Sequence, residues 1–249
     1  MIQLQKISKE LKGNDLEFFQ RVWSSDLQLY SNRIKAIDFI DKSKVLDAGF
    51  GMGQWLIPLS EMNNEVHGIE FSSIRVKAVK KIIKDLEIRN ITVCQGSIED
   101  LNYEDNFFDS IFCYGVLFCT NFKKSLKEFY RVLKPGGKLY FTANELGWFL
   151  YLLYEEHNRS KAYNPKNIAI EAIQNTLSYY DNFDFKPGSQ IIIPLNVAIR
   201  NLERIGFKII THDSEGHINF ITNTPQSFYK KKEYLGHGFI YEVLAKKPF

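Results

Sequence analysis

Apolar residues follow two alternating patterns between residues 44 and 142. Short apolar runs predict buried strands, and the segments between them, with apolar residues three and four positions apart, predict helices. Strands that alternate with helices are typical of an α/β fold with a Rossmann-like, doubly wound parallel sheet. The predicted strands lie within residues 45–48, 65–71, 91–101, 106–113 and 131–141, and the predicted helices include residues 54–62 and 72–86.

Residues on either side of this region predict further helices and two last strands. One or two helices are expected over residues 14–40. An insertion at residues 146–194 contains an apolar helix and a second helix that opens with Asn164 and Pro165, a cap followed by proline at the first position. A helix at 196–205 and strands at 207–212 and 239–246 follow. We therefore predict one domain: residues 1–40 as an N-terminal helical lid, 41–145 as the core, 146–194 as a cap insertion and 195–249 as a C-terminal helix and strand hairpin.

A glycine-rich turn follows the first predicted strand. Asp47 ends that strand, and Gly49, Gly51 and Gly53 stand at alternate positions behind it. Glycine allows positive φ and a close approach of the backbone to a ligand, and the helix that follows offers free N–H groups. The dinucleotide fingerprint G-x-G-x-x-G would need its third glycine at position 54, where Gln54 stands. The turn therefore predicts a nucleotide-like cofactor, with a dinucleotide disfavoured.

Five segments in order resemble the motifs of the class I S-adenosylmethionine (SAM)-dependent methyltransferases, in their small-molecule group. Besides the glycine turn they are the second strand ending at Glu70, the loop around Ser97, the F-D-x-I segment of the fourth strand, and R-V-L-K-P-G-G-K-L at residues 131–139. The resemblance implies SAM as the cofactor and a seven-stranded sheet whose last strand is antiparallel. A NAD(P)-dependent oxidoreductase and a non-catalytic partner protein with this fold are the rival interpretations.

The resemblance also implies which residues bind the cofactor. Asp47 with Gly49, Gly51 and Gly53 would face the methionine end, and Glu70 would bind the ribose hydroxyls. Phe71 would press on the adenine, Ser97 and Ile98 would hold its edge, and Cys113 would lie beside the methyl group. Ser97 departs from the usual aspartate and loses its charge-assisted hydrogen bond.

Methyl transfer to a hydroxyl also needs a proton acceptor, and neutral histidine suits that task. We rank His217 first, because it follows Gly216 in the connection between the last two strands. His157 in the cap is second and His237 third, while His212 lies on the same connection as His217 and His237. His67 lies inside a strand, where a structural role is expected. Glu145, at the end of the fifth strand, is the carboxylate alternative.

Composition and charge restrict the kinds of molecule that this chain is expected to bind. A net charge of +3 on 249 residues does not suggest nucleic-acid binding, and the most apolar run is too short to span a membrane. Three cysteines without metal spacing favour a reducing, cytoplasmic setting and no metal site. The preferred acceptor is a hydroxyl of a small polar molecule, with an anionic sugar linked to phosphate or nucleotide as one candidate, drawn by Lys230–Lys232. An amine is the alternative acceptor, and the chain is expected to be a monomer or homodimer.

The aromatic insertion is expected to cover the acceptor. Trp148, Tyr151 or Tyr154 should line or support the acceptor pocket together with the N-terminal helices. A dimer interface built from residues 146–194 is the alternative.

Overall fold

A computed structural model describes residues 2–182, 185–222 and 224–249. Its centre is a seven-stranded sheet with the strand order β3-β2-β1-β4-β5-β9-β6. The strands β1 to β5 pair in parallel, and β9 is antiparallel to both of its neighbours, β5 and β6. This confirms the predicted fold class. The strands are β1 (Lys44–Ala48), β2 (Glu65–Glu70), β3 (Ile91–Gln95), β4 (Phe108–Cys113), β5 (Leu133–Asn144), β6 (Lys208–Ser214) and β9 (Ile240–Lys246).

Both faces of the sheet are covered because the central strands carry apolar side chains on both sides. In β5, Leu139, Phe141 and Ala143 enter one apolar cluster, whereas Tyr140 enters the cluster on the other face. This follows from the two-residue period of a strand. The helices are α1 (Ile2–Ser8), α2 (Gly13–Trp23), α3 (Leu27–Ala36), α4 (Leu56–Met62), α5 (Ser73–Asp85), α6 (Phe122–Val132), α7 (Leu146–Glu155), α8 (Pro165–Asn182) and α9 (Leu195–Ile205).

Several element boundaries follow from local chemistry. The side chain of Asp26 accepts a hydrogen bond from the Gln28 N–H and caps α3, and Ser72 caps α5 in the same way. Gly206 ends α9 in the left-handed conformation that glycine tolerates. The helix after the glycine turn begins at Leu56, two residues later than its predicted start at Gln54, because residues 51–55 form turns and a bend.

The N-terminal helices lie against the glycine turn. The indole N–H of Trp23 donates to the carbonyl of Met52 at 3.2 Å. Arg75 of α5 donates to Asp15 of α2 at 2.8 Å. The helix α2 thus bridges the glycine turn and α5.

The insertion packs on a small hairpin that the sequence pattern did not predict. The strands β7 (Glu233–Tyr234) and β8 (His237–Gly238) pair with each other, and α7 packs against them. Trp148, Phe149 and Leu152 of α7 share an apolar cluster with Ala169 and Ala172 of α8. No helix in the described part of the chain has the length and apolarity that crossing a bilayer requires.

Candidate functional site

The glycine turn joins the carboxyl end of β1 to α4. Gly49, Gly51 and Gly53 all have positive φ, at 89°, 55° and 85°. A Cβ on Gly49 would lie 2.4 Å from the side chain of Val116, so only glycine fits there. The turn therefore lies against the segment that follows β4.

Asp47 is a buried carboxylate at the end of β1. Its Oδ2 is buried and has no hydrogen-bond partner within the described residues. Burial, and then the charge of Glu70, raise the pKa of this carboxyl well above its usual range. A buried carboxylate with a free oxygen has the chemistry to pair with a cationic amine.

Glu70 ends β2 and is tied to the turn. Its Oε2 accepts the Gly51 N–H at 3.1 Å, and its Oε1 accepts the Ser72 N–H at 2.9 Å. Each carboxylate oxygen has a second lone pair for a further donor. Phe71, the next residue, is 66% exposed, and such a ring is available for stacking.

The other predicted cofactor residues lie on the neighbouring loops. The Ser97 hydroxyl accepts the Glu99 N–H at 3.1 Å, and Ile98 is buried. Cys113 is fully buried at the end of β4, where burial and the charge of Asp47 raise the pKa of its thiol. Their cofactor roles stay predictions.

A cavity of about 170 Å³ opens at the carboxyl ends of β4 and β5. Its aromatic wall consists of Tyr114, Phe118, Trp148, Tyr163 and Tyr229. The polar groups on the wall are Thr142, Asn144 and Gln190. Because Gly115 lines the cavity and the adjacent Val116 contacts Gly49, the cavity adjoins the glycine turn.

Residues of the cap insertion form part of this wall. Trp148 and Gln190 line the cavity directly, and Tyr163 lies between α7 and α8. Tyr151 contacts the Trp148 ring, with centroids 6.2 Å apart, whereas Tyr154 is exposed. The insertion therefore contributes at least three side chains to the cavity wall, those of Trp148, Tyr163 and Gln190.

A buried cluster of charged and phenolic groups lies behind Tyr114. The Tyr114 hydroxyl donates to Glu215 Oε1 at 3.0 Å, and the Arg33 guanidinium lies 3.3 Å from the same oxygen. Arg33 also pairs with Glu242 and donates to the Tyr140 hydroxyl at 2.7 Å. Burial alone would lower the pKa of Arg33, but Tyr140, Glu242 and Glu215 outweigh it and raise that pKa. Only the position of Tyr114 directly after β4 hinted at this cluster in the sequence.

The predicted histidines lie outside the cavity wall. The ring of His157 contacts Trp148, with centroids 5.8 Å apart, and burial followed by Arg21 lowers its pKa, which favours the neutral form. His217 Nδ1 lies 3.1 Å from the carbonyl of Glu215, and His237 is exposed on β8. His67 pairs with Glu65 at 2.7 Å, at a structural position. The role of a histidine as base stays a prediction.

Glu145 and His212 border a different groove. This groove, of about 660 Å³, lies along α9. Glu145 Oε1 accepts the Leu195 N–H at 2.8 Å, which ties it to the start of α9. Neither residue is among those that line the smaller cavity.

Residues 46–141 match the family described as "Methyltransferase domain". Among curated proteins, a demethylmenaquinone methyltransferase from Oceanobacillus iheyensis is 35% identical over 138 residues, which is 53% of this chain and 56% of that protein. The chain spans about half the length of the curated relatives it matches.

Solved structures share the fold at low identity. A SAM-dependent methyltransferase from Methanosarcina mazei has a TM-score of 0.56 and 18% identity, covering 84% of this chain and 93% of that one. The [4+2]-cyclase SpnF has a TM-score of 0.60 and 17% identity, covering 89% of this chain and 80% of that one. Proteins of this fold thus include one described as a cyclase, so the reaction has to be argued from the site.

Proposed function

We propose that this chain, whose residues 46–141 match the methyltransferase family, is a class I SAM-dependent methyltransferase that transfers a methyl group from SAM to a small molecule bound in the aromatic cavity. The observation that carries this proposal is the adjacency of two sites. A glycine turn between two acidic strand ends lies next to a cavity that is lined in part by residues of the insertion.

The residues at the turn fit SAM. The unpartnered, buried oxygen of Asp47 suits the cationic amine of the methionine end. The second lone pairs of Glu70 suit the ribose hydroxyls, and the exposed ring of Phe71 suits the adenine face. When bound, SAM supplies an electrophilic methyl group on a sulfonium, and alignment of the acceptor with it can supply much of the rate.

The size and lining of the cavity support a small ring as the acceptor. A cavity of roughly 150 Å³ accommodates benzene in a protein core, and this one measures about 170 Å³. A sugar linked to a nucleotide would have to leave its nucleotide outside. A hydroxyl on the ring is our preferred acceptor, because three tyrosine phenols and three further polar side chains line the wall.

A quinone-type ring is the second candidate acceptor. It is favoured by the demethylmenaquinone named for the curated relatives and by the aromatic residues that line the cavity. The family match ends at residue 141, before the cap residues that line the cavity. The family match therefore says nothing about the insertion residues that line the cavity, and the identity of the acceptor has to be tested by experiment.

Calorimetry with S-adenosylhomocysteine, the product form of the cofactor, tests the proposal. We expect this ligand to bind the wild-type chain and NAD not to bind. Glu70→Ala should weaken the binding by about 1.5–3 kcal/mol, the scale of hydrogen bonds to a charged group. Glu61→Ala, at an exposed position on α4, is the matched control and should bind normally. Binding of NAD in place of S-adenosylhomocysteine would overturn the proposal.

A further inference from the structure

We propose, on the basis of the methyl transfer argued above, that Tyr114 and Glu215 form a proton relay for a phenol-type acceptor. Tyr114 would touch the hydroxyl of the acceptor and act as a catalytic residue. Glu215 would act through Tyr114, as the residue that positions the phenol and finally takes the proton. The acceptor class is a single ring that bears a hydroxyl group.

Tyr114 has the right placement for this role. It follows β4 directly, it lines the cavity, and its neighbour Gly115 is held by a hydrogen bond from its N–H to the Thr142 hydroxyl at 2.9 Å. The Tyr114 ring also packs on Trp55, with centroids 4.7 Å apart. The Tyr114 ring is therefore held in a fixed position at the wall of the cavity.

Glu215 is a buried carboxylate that several donors hold in place. Its side chain is 2% exposed. The Ser227 hydroxyl donates to its Oε2 at 2.8 Å, and the Phe228 N–H donates to the same oxygen at 3.0 Å. Its Oε1 lies 3.3 Å from the Arg33 guanidinium and accepts a hydrogen bond from the Tyr114 hydroxyl at 3.0 Å. This many donors hold the carboxylate in one orientation.

The direction of the hydrogen bond decides how Tyr114 meets the acceptor. The Tyr114 proton points at Glu215, and among the described hydrogen bonds no donor reaches the lone pairs of the Tyr114 oxygen, which can accept from a ligand. A hydroxyl is such a donor. Burial and the charge of Glu215 raise the pKa of Tyr114, so this proton stays on the phenol until another arrives.

Tyr163 and Tyr229 line the same cavity, but they lack this arrangement. Among the described contacts, Tyr114 is the cavity tyrosine whose hydroxyl donates to a carboxylate. The proton of the acceptor would therefore enter the relay at the Tyr114 oxygen.

The step balances in atoms and charge. A lone pair of the acceptor oxygen forms the new O–CH₃ bond, the S–CH₃ bond breaks, and its electron pair stays on sulfur. The acceptor proton moves to the Tyr114 oxygen while the Tyr114 proton moves to Glu215. The positive charge of the sulfonium and the negative charge of Glu215 disappear together.

Phenol is the probe for the test, because its ring fits the cavity. The variants are Tyr114→Phe and Glu215→Gln, with Tyr103→Phe as the matched control in a tyrosine that lies outside the cavity. Calorimetry measures phenol binding in the presence of S-adenosylhomocysteine. Mass spectrometry measures conversion of phenol to methoxybenzene with SAM.

We expect phenol to bind the wild-type protein and to be methylated on oxygen. Tyr114→Phe should weaken phenol binding about 3–10-fold, for one lost hydrogen bond, and lower kcat about 10²–10⁴-fold. Glu215→Gln keeps the shape and should leave phenol affinity within about 3-fold while kcat falls over the same range. Tyr103→Phe should change neither.

Retained affinity for S-adenosylhomocysteine marks each variant as folded and separates this inference from the proposed function. If that ligand binds but phenol does not, or if Tyr114→Phe keeps wild-type kcat, the relay is wrong and the methyltransferase proposal stands. Cresols, which carry the transferred methyl group on a ring carbon, would also overturn it. If Glu215→Gln does not fold, Tyr114→Phe decides alone by the same criterion.

Discussion

At the scale of single residues, the burial of Asp47 lowers the stability of the ligand-free fold but suits the binding of a cationic ligand. Its carboxylate is fully buried, one oxygen has no partner among the described residues, and its pKa is raised by burial and by Glu70. The charged form is therefore disfavoured in the ligand-free fold. A cationic ligand amine would offset that cost, which explains why an acid stands at a buried strand end.

We predict that Asp47→Asn stabilises the ligand-free protein at neutral pH and abolishes stabilisation by S-adenosylhomocysteine. An acid whose folded pKa is raised contributes stability below its unfolded pKa of about 3.9 and loses it as pH rises through the folded value. The Tm advantage of Asp47→Asn should thus be absent below about pH 4 and grow with pH, reaching about 2–4 °C for 1 kcal/mol. Thermal unfolding across pH checks this, and a variant less stable than wild type at every pH would contradict it.

At the scale of elements, α7 is held unusually close to the hairpin β7–β8. A Cβ on Gly147 would lie 2.4 Å from the carbonyl oxygen of His237 and 2.6 Å from that of Gly238. Backbone atoms cannot move aside as a flexible side chain can. Since Trp148 follows directly and lines the cavity, this contact sets the position of the cap.

We predict that Gly147→Ala destabilises the protein by about 1–3 kcal/mol, the cost of overpacking. Helix propensity alone would give the opposite sign, a gain of up to about 1 kcal/mol. Ser178→Ala, exposed on α8, isolates that propensity effect and should be neutral or slightly stabilising. Urea unfolding measures both, and a stabilising Gly147→Ala would show that α7 is not packed this closely.

At the scale of the whole molecule, Arg33 joins segments that are far apart in the chain. It lies on α3, is fully buried, and pairs with Glu215 after β6 and with Glu242 on β9. Its Nη1 also donates to the carbonyl of Gln226 at 3.0 Å. The single positive charge of Arg33 thus compensates two buried carboxylates. It also links α3 to β9 and to the segment between β6 and β7.

We predict that Arg33→Met destabilises the protein by about 3–5 kcal/mol, because it leaves buried carboxylates without a counter-charge. Lys81→Met removes the exposed partner of Glu10 and should cost no more than about 1 kcal/mol. Urea denaturation of both variants makes the comparison. If both variants lose the same small amount of unfolding free energy, Arg33 does not neutralise Glu215 and Glu242 as the geometry indicates.

The sequence alone determined the core of this protein because the relevant signals are local. Two-residue and 3.6-residue periods report strand and helix directly, and alternate glycines report the turn at residues 49–53. The acids Asp47 and Glu70 stand at strand ends, so parallel pairing of β1 and β2 necessarily brings them to one edge of the sheet. The fold class and the candidate cofactor residues could be read at that level.

Only the tertiary structure decided what surrounds the acceptor. The contact between Tyr114 and Glu215 spans 101 residues of sequence, and that between Arg33 and Glu242 spans 209, so no local pattern reports either. Histidine is the expected base because its ordinary pKa suits the task, and that expectation stays a prediction. Only the packing shows that a tyrosine lining the cavity is hydrogen-bonded to a buried carboxylate. Which groups meet there depends on how α3, the cap and the connection after β6 pack on one end of the sheet. That packing is a property of the whole fold.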